Sequence, residues 1–168
     1  SRSSMLNSNI GYYSVALGYG NIAKGISSTV GGGFNNDVDS DYGTILGGAY
    51  NQSGEHSVVA GGETNTATGT ESSIGGGLYN DATGLLSGVG GGFFNKATAQ
   101  YSAVAGGGNT AEGSNTAGGD SSFVGGGALN FASNTYSFVG GGYNNKAQGK
   151  YSTIGGGSNN NIPVEPVP

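Results

Sequence analysis

The 168-residue chain has no Cys, no Trp, one His and three Pro, and only 9% of its residues carry charge. Without cysteine there can be no disulfide and no thiolate metal site, and the redox compartment stays open. Five Lys and Arg stand against ten Asp and Glu, a net charge of −5. That balance argues against nucleic acid as a partner, because phosphate binding needs clustered cations. No apolar run approaches the ~20 residues that cross a bilayer, so direct membrane insertion is not expected. The start, Ser1-Arg2-Ser3, reads as the product of processing or as a boundary within a longer chain.

The means for enzyme chemistry are equally scarce. The single His, His56, falls in a column otherwise held by Tyr12, Tyr42, Tyr101, Tyr136 and Tyr151, so a ladder substitution explains it. Carboxylates such as Asp37, Glu63, Asp81 and Glu112 are scattered over variable positions. None forms the pair that acid–base catalysis needs. No phosphate-loop pattern G-x-x-x-x-G-K-[ST] is present, and Asp does not recur after the Gly clusters as calcium-binding repeats require. The expectation is a non-enzyme with no catalytic residue, no metal and no cofactor.

What the chain has in abundance is Gly, 38 residues, about 23% against a usual share of about 7%. Gly does not fall at every third position, which excludes collagen. Aligned on the Asn after each Gly cluster, the chain repeats at Asn21, Asn36, Asn51, Asn65, Asn80, Asn95, Asn109, Asn130, Asn145 and Asn160. The spacing is 14 or 15 residues apart from one gap of 21. Six residues earlier (five in one repeat) runs a β-branched column, from Val15 and Val30 to Val139 and Ile154, with Ser or Thr just before it. Two residues after the Asn runs a small-residue column, including Ala23, Ala67, Ala111 and Ala147. The column one past the Asn mixes Asp, Lys, Thr and Phe, as a solvent-facing position does. In the long gap, Asn109-Thr110-Ala111 is echoed by Asn115-Thr116-Ala117. That echo predicts a duplicated half-coil, a bulge or short extra rung, with the stack resuming at Ser122.

Fifteen residues at ~3.3 Å each give a contour near 50 Å, enough for two short strands and two tight turns. The β-branched column favours strands. The Gly clusters supply positive φ or close approach, and a second turn falls four residues after most Asn, at Gly25, Gly69, Gly84, Gly113 and Gly149, with Asn134 in one repeat. The predicted fold is all-β: a parallel β-solenoid of about ten 15-residue coils over residues 12–162. Residues 1–11 form a lead-in or contact arm, and 163–168 a Pro-rich tail or linker. Stacked Asn side chains would satisfy buried turn backbone and one another. Each coil buries little apolar surface, and the Gly triplets leave one wall bare. That wall is therefore expected to be an interface between copies, with closed symmetry as the default.

The first repeat, Tyr13-Ser14-Val15-Ala16-Leu17-Gly18-Tyr19-Gly20-Asn21-Ile22-Ala23-Lys24-Gly25, resembles the head repeat of trimeric autotransporter adhesins (YadA-like heads). The triplet form, Tyr136-Ser137-Phe138-Val139-Gly140-Gly141-Gly142-Tyr143-Asn144-Asn145-Lys146-Ala147, is similar to a variant in phage tail-fibre proteins and large bacterial surface proteins. The likeness runs from about Tyr12 to Asn161. It implies a left-handed parallel β-roll, an obligate homotrimer, a role in attachment, and an extracellular, cell-surface or virion location.

The aromatics one or two residues before the Asn, Tyr19, Phe34, Tyr50, Tyr79, Phe93, Phe94 and Tyr143, are the candidate contacts for a cell-surface glycan or protein receptor. Ladder packing or an interface edge is the competing reading. Two other functions stay open: a self-assembling filament or virion decoration without a receptor, and an ice-binding solenoid.

Overall fold

The computed structural model describes residues 10–110 and 113–164. It is an all-β solenoid of ten coils with twenty two-residue strands, from β1 (Val15–Ala16) and β2 (Ile22–Ala23) to β19 (Thr153–Ile154) and β20 (Asn161–Ile162). The odd-numbered strands form one ten-stranded sheet and the even-numbered strands another, each strand parallel to its counterparts in adjacent coils. At the ~4.8 Å spacing of paired strands, ten coils make a rod ~45 Å long.

Four inward positions per coil fill the interior. The β-branched column (Val30, Ile45, Val59, Ile74 and their equivalents) and the Ala column pack as one apolar core. From Asn21 to Asn145 the Asn column is wholly buried beside them, and from Ser28 to Ser152 so is a Ser column. Most of these Asn are tied four ways. Asn36 donates its N–H and its Nδ2 to Asn21 Oδ1 of the preceding coil (2.8 and 3.2 Å). Its Nδ2 also reaches Gly32 O in its own coil (3.1 Å) and Gly48 O in the next (2.8 Å). The ladder therefore satisfies turn carbonyls that burial would otherwise strand. Ser closes the opposite turn, as where Ser28 Oγ donates to Gly25 O at 2.8 Å.

The turns demand unusual backbone. Among the described residues, eighteen non-Gly residues have φ between 50° and 61°, a region that costs an L-residue about 1–2 kcal/mol. They form two columns: one directly before the Asn (Tyr50, Tyr79, Phe94), the other directly before the buried Ser (His56, Tyr101, Tyr136) or, at Tyr42, before the Gly43 that takes its place. The last Gly of each cluster is also left-handed. At Gly62 (φ +89°) an added Cβ would collide with Gly77 O of the next coil.

Four sequence expectations are corrected. In the first coil Ala16, not Val15, pairs in register with core Val30, and Val15 pairs with Thr29 and faces outward. The same shift puts Tyr13, not Tyr12, in the His56 column. The Ser column lies two residues before the core residue (Ser28 before Val30), while Thr44, one before Ile45, belongs to the outward column with Thr29 and Val58, and Gly43 holds the Ser position. In the long gap the ladder passes from Asn95 to Asn115 (Asn115 Nδ2 to Asn95 Oδ1, 3.2 Å), and β14 (Thr116–Ala117) occupies the strand. The stack thus resumes at Asn115 rather than Ser122, and its turn glycine is Gly119, not Gly113. Asn109 is outside the ladder, and Ala111 lies outside the described residues. The insertion amounts to five residues, since Asn95 and Asn115 are 20 apart instead of 15.

Candidate functional site

Each coil turns two faces and two corners to the outside. The even-strand face carries Asp37, Asp81, Lys96 and Lys146, with Lys24 and Asp39 at its edge. Lys24 Nζ sits 2.6 Å from Asp39 Oδ1, with both side chains largely exposed. The Lys24 contact lowers the Asp39 pKa, whereas burial, reinforced by Asp39, raises that of Asp37. Burial also raises the Asp81 pKa, against the pull of Lys96, its register partner. Among the described residues no group of three His, Asp or Glu is placed to hold a metal ion.

The odd-strand face is different. Its outward columns flank each core residue: Val15, Thr29, Thr44, Val58, Ser73, Gly88, Ala103, Phe123, Phe138 and Thr153 on one side, and Leu, Ala or Gly on the other. No residue in either column is charged. Over its middle coils the face sinks into a shallow apolar depression of ≈ 480 Å³ between Val58 and Phe123, floored by Gly75, Gly88 and Gly90.

Beside this face runs the glycine ridge. The middle glycine recurs in nine coils: Gly32, Gly47, Gly61, Gly76, Gly91, Gly106, Gly126, Gly141 and Gly156. At Gly32, Gly47 and Gly61 an added Cβ would meet nothing within 4 Å, and φ there lies outside the left-handed range. The chain's own packing gives no reason for glycine at these positions. Among the described residues, the N–H groups of the middle and last glycines, such as Gly61 and Gly62, make no hydrogen bond, apart from Gly108, which donates to Gly127 O (2.8 Å). The carbonyl one residue earlier, Ala60 O in that coil, accepts none either.

The candidate aromatic contacts lie on the corner between this ridge and the Asn column. They divide into two backbone classes. Tyr19, Phe34, Phe93 and Tyr143 occupy a column of single parallel bridges, while Tyr50, Tyr79 and Phe94 are the left-handed residues directly before the Asn. The fold brings Tyr19, Phe34 and Tyr50 into one group: Tyr19 stacks on Phe34 (5.6 Å, 3°), and Tyr50 meets Phe34 edge-on (5.4 Å, 79°). Tyr79, Phe93 and Phe94 form a second, with Tyr79 stacked on Phe94 at 4.7 Å. Glu63 and Thr64 of the intervening coil separate the two groups. Tyr143 stands apart, half exposed between bridge partners Ala128 and Ser158. Because neighbouring rings cover each other's faces, the corner presents mainly ring edges and phenol hydroxyls.

The opposite corner holds a second aromatic column that the sequence reading used only to explain His56. Tyr13, Tyr42, Tyr101, Tyr136 and Tyr151 are all at least half exposed there. His56 stacks on Tyr42 (4.7 Å, 15°), which fits its place in a ring ladder. The signal was in the alignment, as a Tyr recurring one residue before the turn Ser. Comparison with known proteins gives no matching family model and no matching curated protein.

Proposed function

We propose that this chain is a non-enzymatic attachment module: a homotrimeric β-solenoid fibre at a cell or virion surface that displays its aromatic corners toward a cell-surface glycan or protein. The observation that carries the reading is the glycine ridge. Of the nine, Gly76, Gly126 and Gly141 have a positive φ of 149–157°, but Gly32, Gly47, Gly61, Gly91, Gly106 and Gly156 sit where neither φ nor a clash within the chain requires glycine, so the constraint at those six comes from a neighbour that approaches the backbone closely. The ridge offers unpaired N–H donors and C=O acceptors once per coil. A partner that meets such an array over nine coils needs the same axial repeat, and a second copy has it. The adjoining charge-free face supports the same choice, since association there buries apolar surface without desolvating charge. Threefold symmetry and left-handedness rest on the resemblance of Ser14-Val15-Ala16-Leu17-Gly18 to adhesin head repeats.

The attachment part is tested by applying the purified assembly to a glycan array and to intact cells. Binding that falls on Tyr19→Ala or Tyr79→Ala, with the native mass unchanged, supports it. A stable assembly that binds nothing on either panel would make the chain a structural filament or decoration subunit.

A further inference from the structure

The structure points to a covalent modification site at Tyr136 and Tyr151, which we propose are joined as an intrachain dityrosine under one-electron oxidation. The two rings lie on adjacent coils, stacked with centroids 5.2 Å apart and planes 4° apart. Among the described residues no other pair of tyrosines stacks in parallel. Tyr12 and Tyr13 are tilted by 51° at 6.4 Å, and the other stacked rings pair a tyrosine with Phe or His, or Phe with Phe. Both residues are left-handed (φ 59° and 61°), and Tyr151 N–H is tied to Thr135 O at 3.1 Å. Backbone and ladder therefore hold the rings side by side. Both are exposed, 52% and 65%, so an oxidant reaches them and their outer edges have room to turn toward each other. The chain has no Cys and no Trp to intercept the oxidant.

The chemistry closes with hydrogen peroxide and a haem peroxidase. Each phenol gives up one electron and one proton, and the two phenoxyl radicals form a carbon–carbon bond ortho to their oxygens. The ring hydrogens at the new bond then shift to the oxygens, which restores both phenols. The two electrons and two protons reduce one peroxide to two waters. The product staples the ninth coil to the tenth, where core Ile154 is no longer fully covered.

The test is to treat the intact protein with peroxide and a haem peroxidase, alongside Tyr136→Phe, Tyr151→Phe and, as a control, Tyr13→Phe. Phe preserves the ring stack, and circular dichroism checks that each variant is folded. The expected result is dityrosine fluorescence, an intact mass lower by two hydrogens in a chain that still runs as a monomer under denaturing conditions, and one cross-linked peptide pair containing Tyr136 and Tyr151. Either Phe variant at that pair should abolish all three, and Tyr13→Phe should leave them. Undiminished fluorescence in Tyr136→Phe, or cross-links found only between chains, would overturn the assignment. This outcome is independent of whether the assembly binds a receptor.

Discussion

Removing one rung of the buried Asn ladder, by Asn80→Ala, is the sharpest test of what holds the solenoid together. Asn80 is fully buried. Its Nδ2 donates to Asn65 Oδ1 (3.1 Å), Gly76 O (3.0 Å) and Gly92 O (2.9 Å), and its Oδ1 accepts the Asn95 N–H at 3.0 Å. Two of these partners have a second bond: Asn65 Oδ1 keeps the residue-80 N–H (3.0 Å), and Gly92 O keeps that of Leu78 (3.0 Å). Gly76 O and Asn95 N–H are left with none. Each stranded group costs about 1–3 kcal/mol, so the substitution should cost about 2–6 kcal/mol, a large share of a typical ~5–15 kcal/mol total. The assay is denaturant unfolding followed by circular dichroism, at one protein concentration because assembly adds to apparent stability. Asp81→Ala, next along the chain but outward-facing, serves as the reference. A loss under about 0.5 kcal/mol for Asn80→Ala, the range of ordinary surface substitutions, would refute the view that the ladder satisfies otherwise stranded backbone.

Three further outcomes follow from the same geometry. Gly62→Ala should cost at least about 2 kcal/mol, because its backbone is left-handed and its Cβ would strike the next coil; Gly61→Ala, one residue away, should leave the coil folded and shift the native mass toward monomer. Burial raises the Asp81 pKa in the fold, so its favourable contribution is complete below the unfolded pKa and is lost as pH rises through the folded one. Asp81→Asn should therefore gain on the wild type across that carboxylate window, and an unfolding series from acid to neutral pH that shows no such convergence or crossing would contradict this. Deleting residues 109–113 should leave the circular dichroism spectrum and the unfolding midpoint at or above wild type, since it restores the 15-residue spacing between Asn95 and Asn115 and shortens a loop.

Much of the solenoid could be read from residue columns because each column has one physical task. β-Branched residues fill the core, Asn ties the coils, and the last Gly supplies a backbone that a Cβ would block. The errors arose where two patterns competed. Val15 matched the β-branched column by type, yet Ser14 two residues before Ala16 marks Ala16 as the inward residue, as Ser28 does for Val30. Asn109 and Asn115 head identical Asn-Thr-Ala triplets, and only the 15-residue step from Asn115 to Asn130 favours the second. The left-handed corners were invisible, because Tyr, Leu and Glu do not announce positive φ; stacking against the neighbouring coils imposes it. For the same reason the aromatic candidates, adjacent in the alignment, separate into two groups and a lone Tyr143.

We propose that the bare glycine ridge is an interface between copies in a closed trimer. Native mass by light scattering tests it most directly. A ridge-joined trimer gives a concentration-stable species at three times the 16.4 kDa chain, reduced toward one chain by Gly61→Ala. A folded wild-type monomer over the same concentrations would contradict it.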